Sequence, residues 1–217
     1  MEPLWTTRIR GATAIDVDPR HLVTAERLAA GGWPGVFGRP APLVVELGFG
    51  NGQSLAEMAA ARPGCNFVGI EVFGKGIVKL TRRLEREGIG NVRVIQGDAL
   101  AALGKLFAPG VVDELHVNFP DPWPKRRHHK RRMVAPPFVD LVFRQVRPGG
   151  VVHLATDFTC YAFQMRTVFE AHPGFANGAG PHRFRYHVPG RIRTKYERKF
   201  AAQGATIRYL TYLRAAR

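Results

Sequence analysis

The feature that most constrains the fold of this chain is a regular alternation of short apolar runs with segments of helical period. The apolar runs predict strands at 43–47, 67–71, 92–95, 112–117 and 151–155. The segments between and after them predict helices at 53–61, 75–87, 99–107, 137–146 and 158–170. Because parallel strands need crossover connections, the pattern predicts an α/β fold with a mostly parallel open sheet and helices on both faces. A β-branched, aromatic run at 205–213 is expected to add an antiparallel C-terminal strand.

The chain is long enough for one domain with short appendages. Its 217 residues are 45% hydrophobic and 23% charged, which excludes disordered and collagen-like classes. We expect a domain over 41–217, preceded by an N-terminal extension over 1–40 with one helix at 21–30 and a mobile first dozen residues. Cys65 and Cys160 are too isolated for a disulfide framework or a zinc ribbon, and both are expected to be small buried side chains.

The basic charge of the chain is concentrated in its second half. Residues 1–111 carry 13 basic and 10 acidic side chains, whereas residues 112–217 carry 19 and 7, a net charge of +12. Such a surface attracts polyanions, so nucleic acid is the expected partner. A membrane is not expected, because no apolar run approaches the roughly 18 residues of a spanning helix. The N-terminus has no export signal, and a cytoplasmic location is predicted.

A glycine-rich turn follows the first predicted strand. The sequence VVELGFGNGQ places Gly48, Gly50 and Gly52 directly after Glu46, where the backbone can turn tightly and approach a ligand. The dinucleotide fingerprint would require glycine at the position of Gln53. An acidic residue beside a glycine turn suits a cationic ligand without phosphate, and S-adenosylmethionine is such a ligand.

Acidic residues also follow the next two strands. Glu71 ends the second strand, where a carboxylate can accept both hydroxyls of a ribose, and Asp98 follows the third, where it can accept an adenine amino proton. Either residue could instead be an ordinary polar strand end, and Asp98 could be a helix N-cap. Three acids in register favour the cofactor interpretation.

A stiff, basic loop follows the fourth strand. In NFPDPWPKRRHHKRR, prolines 120, 122 and 124 exclude a helix and hold Asp121 and Trp123 on a rigid backbone. The cations that follow are interpreted as phosphate contacts beside a base-binding pocket, although such a run can also be a solvated surface. The adjacent His128 and His129 have no further ligands at suitable spacing, so no metal is expected.

Two later segments carry further candidates. Asp157 ends the fifth strand at the same edge as the other acids. Residues 194–200, TKYERKF, combine a hydroxyl, an aromatic ring, a carboxylate and bases; by spacing alone, Thr194 and Glu197 could simply form a helix capping box.

These motifs together resemble the bacterial tRNA (guanine-N7-)-methyltransferases, a family of class I, Rossmann-like, S-adenosylmethionine-dependent enzymes. The resemblance runs from about Val44 to the C-terminus through ELGFGNG, VGIEVF, GDA, FPDPWPKRRHHKRR, Thr156–Asp157 and TKYERKF. It implies methylation of guanine 46 in the variable loop of tRNA, with Asp121 as the catalytic residue. It implies that the cofactor contacts Glu46, Gly48, Glu71, Asp98 and Asp121. It implies that the substrate contacts Lys125, Asp157, Thr194, Lys195, Tyr196 and Glu197, and that RNA contacts Arg127, Lys130, Arg131 and Arg132.

The N-terminal region departs from the family pattern. Residues 1–40 contain only five arginines and lack a dense basic arm. Three other functions stay open from the residues: a nicotinamide-dependent oxidoreductase, disfavoured by Gln53; a non-catalytic RNA-binding protein, disfavoured by the acids; and methylation of an exocyclic amine, suggested by N-F-P-D at 118–121 but lacking an aromatic residue at position 121.

Overall fold

A computed structural model of the protein describes residues 17–216, which divide after Ala108 into two compact units. The expected mobility of the first dozen residues lies outside the described part of the chain. The boundary of an extension at residue 40 stays a prediction. The helices within 17–216 are all too short or too polar to cross a membrane.

The first unit contains three parallel strands in the order β3-β2-β1. After a 3₁₀ turn at Pro19–His21, its elements are α1 (Ala25–Phe37), β1 (Leu43–Leu47), α2 (Gln53–Ala61), β2 (Asn66–Glu71), α3 (Gly74–Glu87), β3 (Val92–Gln96) and α4 (Ala99–Leu106). β1 and β2 are buried along their whole length, which explains their continuous apolar runs.

The predicted helix at 21–30 is displaced in the structure. Asp18 caps the 3₁₀ turn, and Thr24 then caps α1 by accepting a hydrogen bond from the backbone N–H of Arg27. Non-helical backbone at Gly31 and Gly32 kinks α1, which continues to Phe37. The prediction placed the start too early because it overlooked the Thr24 cap.

The second unit contains the strand order β4-β5-β7-β6. Its elements are β4 (Val112–Asn118), a 3₁₀ helix at Arg126–Arg131, α5 (Pro136–Gln145), β5 (Val146–Thr156), α6 (Thr159–Glu170), β6 (Phe175–Asn177), α7 (Lys195–Ala202) and β7 (Arg208–Arg214). β4 and β5 are parallel, and β7 is antiparallel to both β5 and β6. The predicted fold class, mostly parallel with an antiparallel C-terminal strand, is confirmed.

Two details of the second unit differ from the predictions. Val146 belongs to β5 and not to the preceding helix, because it pairs with Val112 across a register shift in β4. The short strand β6 was not predicted.

The expectation that both cysteines are buried was wrong, since Cys65 is half-buried and Cys160 is exposed at the start of α6.

Candidate active site

The glycine turn of the first unit is open toward a ligand. Gly48, Gly50 and Gly52 have φ values of 69°, 62° and 72°, in the left-handed region that favours glycine. A Cβ atom added at Gly48 or Gly50 would meet no atom within 4 Å. The turn therefore exposes free space directly above its backbone, as close approach of a ligand requires.

The inner side of the same turn is closed by α3. A Cβ atom at Gly76 would lie only 2.1 Å from the carbonyl oxygen of Gly50, and one at Gly52 would lie 2.6 Å from Cβ of Leu80. The start of α3 thus contacts the turn backbone to backbone. This contact fixes the turn from behind.

Glu71 orients the turn through its carboxylate. It accepts hydrogen bonds from the backbone N–H of Gly50 at 2.8 Å, Val72 at 2.8 Å and Phe73 at 3.0 Å. Glu46, on β1, is buried beside Gly69 of β2 in the strand register. The first unit therefore supplies two buried acids next to the open turn, of which Glu71 is fixed by hydrogen bonds.

Asp98 is an N-cap in the structure. Its side chain accepts a hydrogen bond of 2.9 Å from the backbone N–H of Ala101 in the first turn of α4. The capping alternative raised from the sequence is thus observed. A contact between Asp98 and an adenine stays a prediction.

In the second unit, Asp121 lies between two residues with strained backbone. Phe119 and Trp123 have φ values of 52° and 43°, which L-residues rarely adopt. The backbone N–H of Phe119 donates to the carbonyl of Ala155 on β5. Asp121 itself is exposed. The loop therefore holds an accessible carboxylate in a fixed backbone.

Arg132 holds this loop from beneath. Only 4% of the residue is exposed, and its Nε atom donates to the carbonyl of Pro122 at 2.8 Å. Its Nη1 atom donates to Gln164 at 2.7 Å, and the guanidinium lies over the ring of Tyr161. Unlike its neighbours in the basic run, Arg132 is engaged inside the protein.

The other predicted RNA contacts lie at the surface. Lys125, Arg127, Lys130 and Arg131 are exposed in or beside the 3₁₀ helix at Arg126–Arg131. Arg131 stacks over Trp123 at 4.8 Å. These exposed cations therefore follow Asp121 within a few residues of the chain.

A buried network connects the end of β4 to α7. Glu197 is fully buried, accepts a 2.6 Å hydrogen bond from the hydroxyl of Tyr209, and completes the capping box with Thr194. Arg191 donates to Glu197 at 3.4 Å and to the side chain of Asn118 at 2.6 Å. Burial, together with the bond to Glu197, raises the pKa of Tyr209 to about 12.

Sequence reasoning found Glu197 by its capping spacing but missed its partners. Arg191 and Tyr209 carried no local motif, and only the fold brings them to Asn118 and Glu197. Arg191 ties the residue that precedes the Asp121 loop to the first turn of α7.

Asp157 and Tyr196 are neighbours in the second unit. The hydroxyl of Tyr196 donates to Asp157 over 3.4 Å, and its ring lies 4.9 Å from that of Phe119. Burial raises the pKa of Tyr196, and the nearby carboxylate of Asp157 raises it further. Lys195 is exposed beside them. The structure thus brings Asp157 and Tyr196 of the predicted substrate residues together.

Three residues of the second unit are of types that commonly bind metal ions, and they lie close together. Glu114, His116 and His153 offer ligand atoms within 4.8 Å of one another. Nε2 of His116 lies 2.6 Å from Glu114, and the two imidazole rings stack. A metal ion lies in the plane of each ligating ring, and stacked planes do not converge on one point. The arrangement favours a hydrogen-bonded cluster.

Several solved structures that share this fold are methyltransferases. The 16S rRNA methyltransferase KamB matches with a TM-score of 0.62 at 15% identity, covering 82% of this chain and 90% of that one. TrmN from Thermus thermophilus matches with a TM-score of 0.58 at 19% identity, covering 81% and 44%. At these identities the likeness concerns the fold alone. The fold is therefore the one that class I methyltransferases share.

Comparison of sequences narrows this class. The family model described as "Putative methyltransferase" matches residues 40–210. The tRNA (guanine-N(7)-)-methyltransferase of Bordetella pertussis is 43% identical over 179 residues, 82% of this chain and 70% of that protein. The enzyme of the same name from Nitrosococcus oceani is 43% identical over 180 residues, 83% and 75%. The chain belongs to the tRNA (guanine-N(7)-)-methyltransferase family, which confirms the predicted resemblance.

Proposed function

We propose that this protein transfers a methyl group from S-adenosylmethionine to N7 of a guanine in tRNA, at position 46 of the variable loop. The observation that supports the proposal most directly is the strained loop that presents Asp121 beside exposed cations. An accessible, rigidly held carboxylate can recognise a guanine edge, and the cations can contact the adjoining phosphates. The relatives named tRNA (guanine-N(7)-)-methyltransferase support the same activity.

The first unit fits the proposed cofactor. Its glycine turn has open space above the backbone of Gly48 and Gly50, and Glu46 and Glu71 supply negative charge for a cationic ligand. We assign a ribose hydroxyl to Glu71 and the adenine amino group to Asp98, because the three backbone hydrogen bonds to Glu71 and the one to Asp98 leave each carboxylate a free lone pair. When bound, S-adenosylmethionine supplies the electrophilic methyl group.

Asp121 is the proposed catalytic residue. Guanine N7 has a free lone pair and no proton, so the nucleophile needs no general base. The residues of the chain must instead position the guanine and stabilise the positive charge that develops on the purine. A carboxylate that accepts from N1–H and the N2 amino group does both, and it selects guanine over adenine because adenine cannot donate in that pattern.

The second acceptor for the guanine is Asp157. Glu197 is fully buried and already accepts from Tyr209, so we assign it, with Arg191, to positioning Asn118 and the loop that follows. Thr194 caps α7 in the same network. Lys125, Arg127, Lys130 and Arg131 are the proposed phosphate contacts, whereas the buried Arg132 supports the loop.

A direct assay tests the activity. Unmodified tRNA transcript is incubated with methyl-labelled cofactor, and its nucleosides are then separated. We expect label in 7-methylguanosine, and none in a transcript that carries adenosine at position 46. Label in an exocyclic N-methyl nucleoside, or no transfer to tRNA, would contradict the proposal.

Single-turnover kinetics test the part of Asp121. The Asp121→Asn variant keeps the shape of the side chain but loses its charge, and we expect transfer to slow by about 10²–10³-fold, as for loss of a preorganised electrostatic group. Asp140→Asn, which neutralises an exposed carboxylate on α5, is the matched control and should transfer at the normal rate. A normal rate of methyl transfer in Asp121→Asn would show that Asp121 is not the catalytic residue.

A further inference from the structure

The second unit carries an exposed cluster of aromatic and basic side chains that the proposed function does not use. It consists of two residues of α6 and four of the connection between β6 and α7, and we name it the basic–aromatic surface: Phe163, Arg166, Arg183, Phe184, Arg185 and Tyr186. Residues 183–187 read RFRYH, in which basic and aromatic side chains alternate.

Two of the three aromatic rings of this surface are exposed to solvent. Phe163 is 46% exposed and Tyr186 is 62% exposed. Exposed rings of this size usually mark a binding site when they cluster. The segment around them is also strongly cationic, because residues 178–199 contain seven Lys or Arg and a single acid, Glu197, which is buried.

The cluster is held in a fixed arrangement. The guanidinium of Arg166 lies 5.0 Å from the ring centre of Phe163 and 4.9 Å from that of Phe184, and the two rings meet edge to face at 5.3 Å. Arg185 forms both backbone hydrogen bonds of a bridge with Tyr209. The segment therefore does not need to be ordered by a ligand, which lowers the entropic cost of binding.

Glu170 anchors the other end of the segment. Its carboxylate accepts from the backbone N–H of His182 and from the side chain of Asn177, and it lies 2.8 Å from Nδ1 of His182. Arg166 also donates to the carbonyl of His182. Arg166 and Phe184 are half-buried in this arrangement, and Phe163, Arg183, Arg185 and Tyr186 are exposed.

We propose that the basic–aromatic surface binds unpaired nucleotides of the tRNA substrate, by stacking bases on Phe163 and Tyr186 while Arg183 and Arg185 contact the adjoining phosphates. Interleaved rings and cations are the chemistry of single-stranded RNA recognition, because every base has a face that stacks on an aromatic side chain. The proposal extends the proposed function by adding a second RNA contact to the one at the Asp121 loop.

Binding of fluorescently labelled tRNA, followed by anisotropy, tests the surface. Phe163→Ala and Tyr186→Ala should each raise the Kd for tRNA by at least about fivefold, the lower end of the effect of losing one stacked base. Tyr186→Phe keeps the ring and should bind as the unaltered protein does. Equal tRNA affinity in Phe163→Ala, Tyr186→Ala and the unaltered protein would overturn the proposal.

The salt dependence separates stacking from charge. Arg183→Ala should reduce the slope of log K against log salt by about 0.7–0.9, whereas Tyr186→Ala should leave the slope unchanged. Arg144→Ala removes the same charge from an exposed position on α5 and should leave the slope unchanged. An equal loss of slope in Arg144→Ala and Arg183→Ala would mean that the surface has no particular part in binding.

The assay also separates this inference from the proposed function. At saturating tRNA, Tyr186→Ala should retain the full kcat for methyl transfer while its KM for tRNA rises. If the unaltered protein transfers no methyl group to tRNA, the proposed function fails, and the anisotropy measurements still decide whether this surface binds RNA.

Discussion

Basic side chains that lie close together in the run at 125–132 have different environments. Arg132 is buried against Tyr161 and bonds to Pro122 and Gln164, whereas Lys130, two positions earlier, is exposed. The sequence could not separate them, because an irregular loop has no periodicity from which burial can be inferred. Only the contact with α6 distinguishes the supporting cation from the exposed ones.

Substitution of these two residues should have opposite consequences. Arg132→Ala leaves the half-buried carbonyl of Pro122 and side-chain amide of Gln164 without their charged donor, and we expect the free energy of unfolding to fall by about 2–3 kcal/mol. Lys130→Ala should change it by less than about 0.5 kcal/mol. Lys130→Ala should instead flatten the salt dependence of tRNA binding by about 0.7–0.9 in slope. Urea unfolding and salt titrations check both, and an Arg132→Ala variant as stable as Lys130→Ala would refute the supporting role.

At the scale of elements, the contact between α3 and the glycine turn sets the shape of the proposed cofactor site. Within the turn, Phe49 is buried and the side chain of Asn51 accepts a hydrogen bond from the backbone N–H of Gln53, but the three glycines have no side chains with which to restrict the backbone. Gly76 allows the backbone of α3 to reach the carbonyl of Gly50, and Glu71 ties the N–H of Gly50 to the end of β2. The turn is therefore preorganised by β2 and α3, which both lie further along the chain.

Addition of one methyl group should disturb this contact. Gly76→Ala places a Cβ atom 2.1 Å from the carbonyl oxygen of Gly50, so the helix or the turn must move. We expect a loss of stability of at least about 1–3 kcal/mol, as for overpacking, together with weaker binding of S-adenosylmethionine. Calorimetry and equilibrium dialysis measure the two effects. Gly90→Ala, where a Cβ atom meets nothing within 4 Å, is the control, and the same thermal midpoint in both variants would contradict this account.

Elements that local interactions form can be predicted from the sequence, whereas elements that depend on pairing with distant segments cannot. The bounds of β1 and α2 were predicted as observed, because a buried run and a helical period are local signals on either side of a glycine turn. α7 has a local capping box, so its start was recognised as an alternative. β6 and the first residues of β5 depend on pairing with distant strands, at Tyr212 and Val112, and no local pattern indicates such pairing.

The same distinction applies to the candidate site. Glycines and acids at strand ends are visible in the sequence, so the open turn, Glu71 and Asp121 were all proposed. The burial of Glu197 and its bonds to Arg191 and Tyr209 arise from segments that only the fold brings together. Sequence reasoning therefore identified the accessible chemistry but not the side chains that position it.

At the scale of the whole molecule, charge follows the division into two units. The excess of basic side chains, +12 of the net +15, belongs to the part of the chain that forms the second unit. The first unit carries the proposed cofactor residues and is nearly neutral. A cationic ligand therefore meets local acids in a unit of low net charge, and a polyanion is attracted to the other unit.

Buried tyrosines of the second unit link its stability to pH. Burial raises the pKa of Tyr161 to about 12, and burial together with Glu197 does the same for Tyr209. In the unfolded chain both phenols ionise near the ordinary value of about 10. Because the folded state keeps these protons longer, their contribution to stability is complete below pH 10 and is lost as the pH rises toward 12.

Unfolding in urea at several pH values between 8 and 11.5 tests this linkage. We expect the free energy of unfolding to fall above pH 10 with a slope approaching about 1.4 kcal/mol per pH unit for each buried tyrosine. Tyr161→Phe lowers stability at neutral pH, because the backbone N–H of Val134 loses its acceptor, but its slope above pH 10 should be shallower by one proton. Tyr186→Phe, at an exposed position, should keep the full slope. Equal slopes in Tyr161→Phe and the unaltered protein would show that ionisation of Tyr161 is not coupled to unfolding.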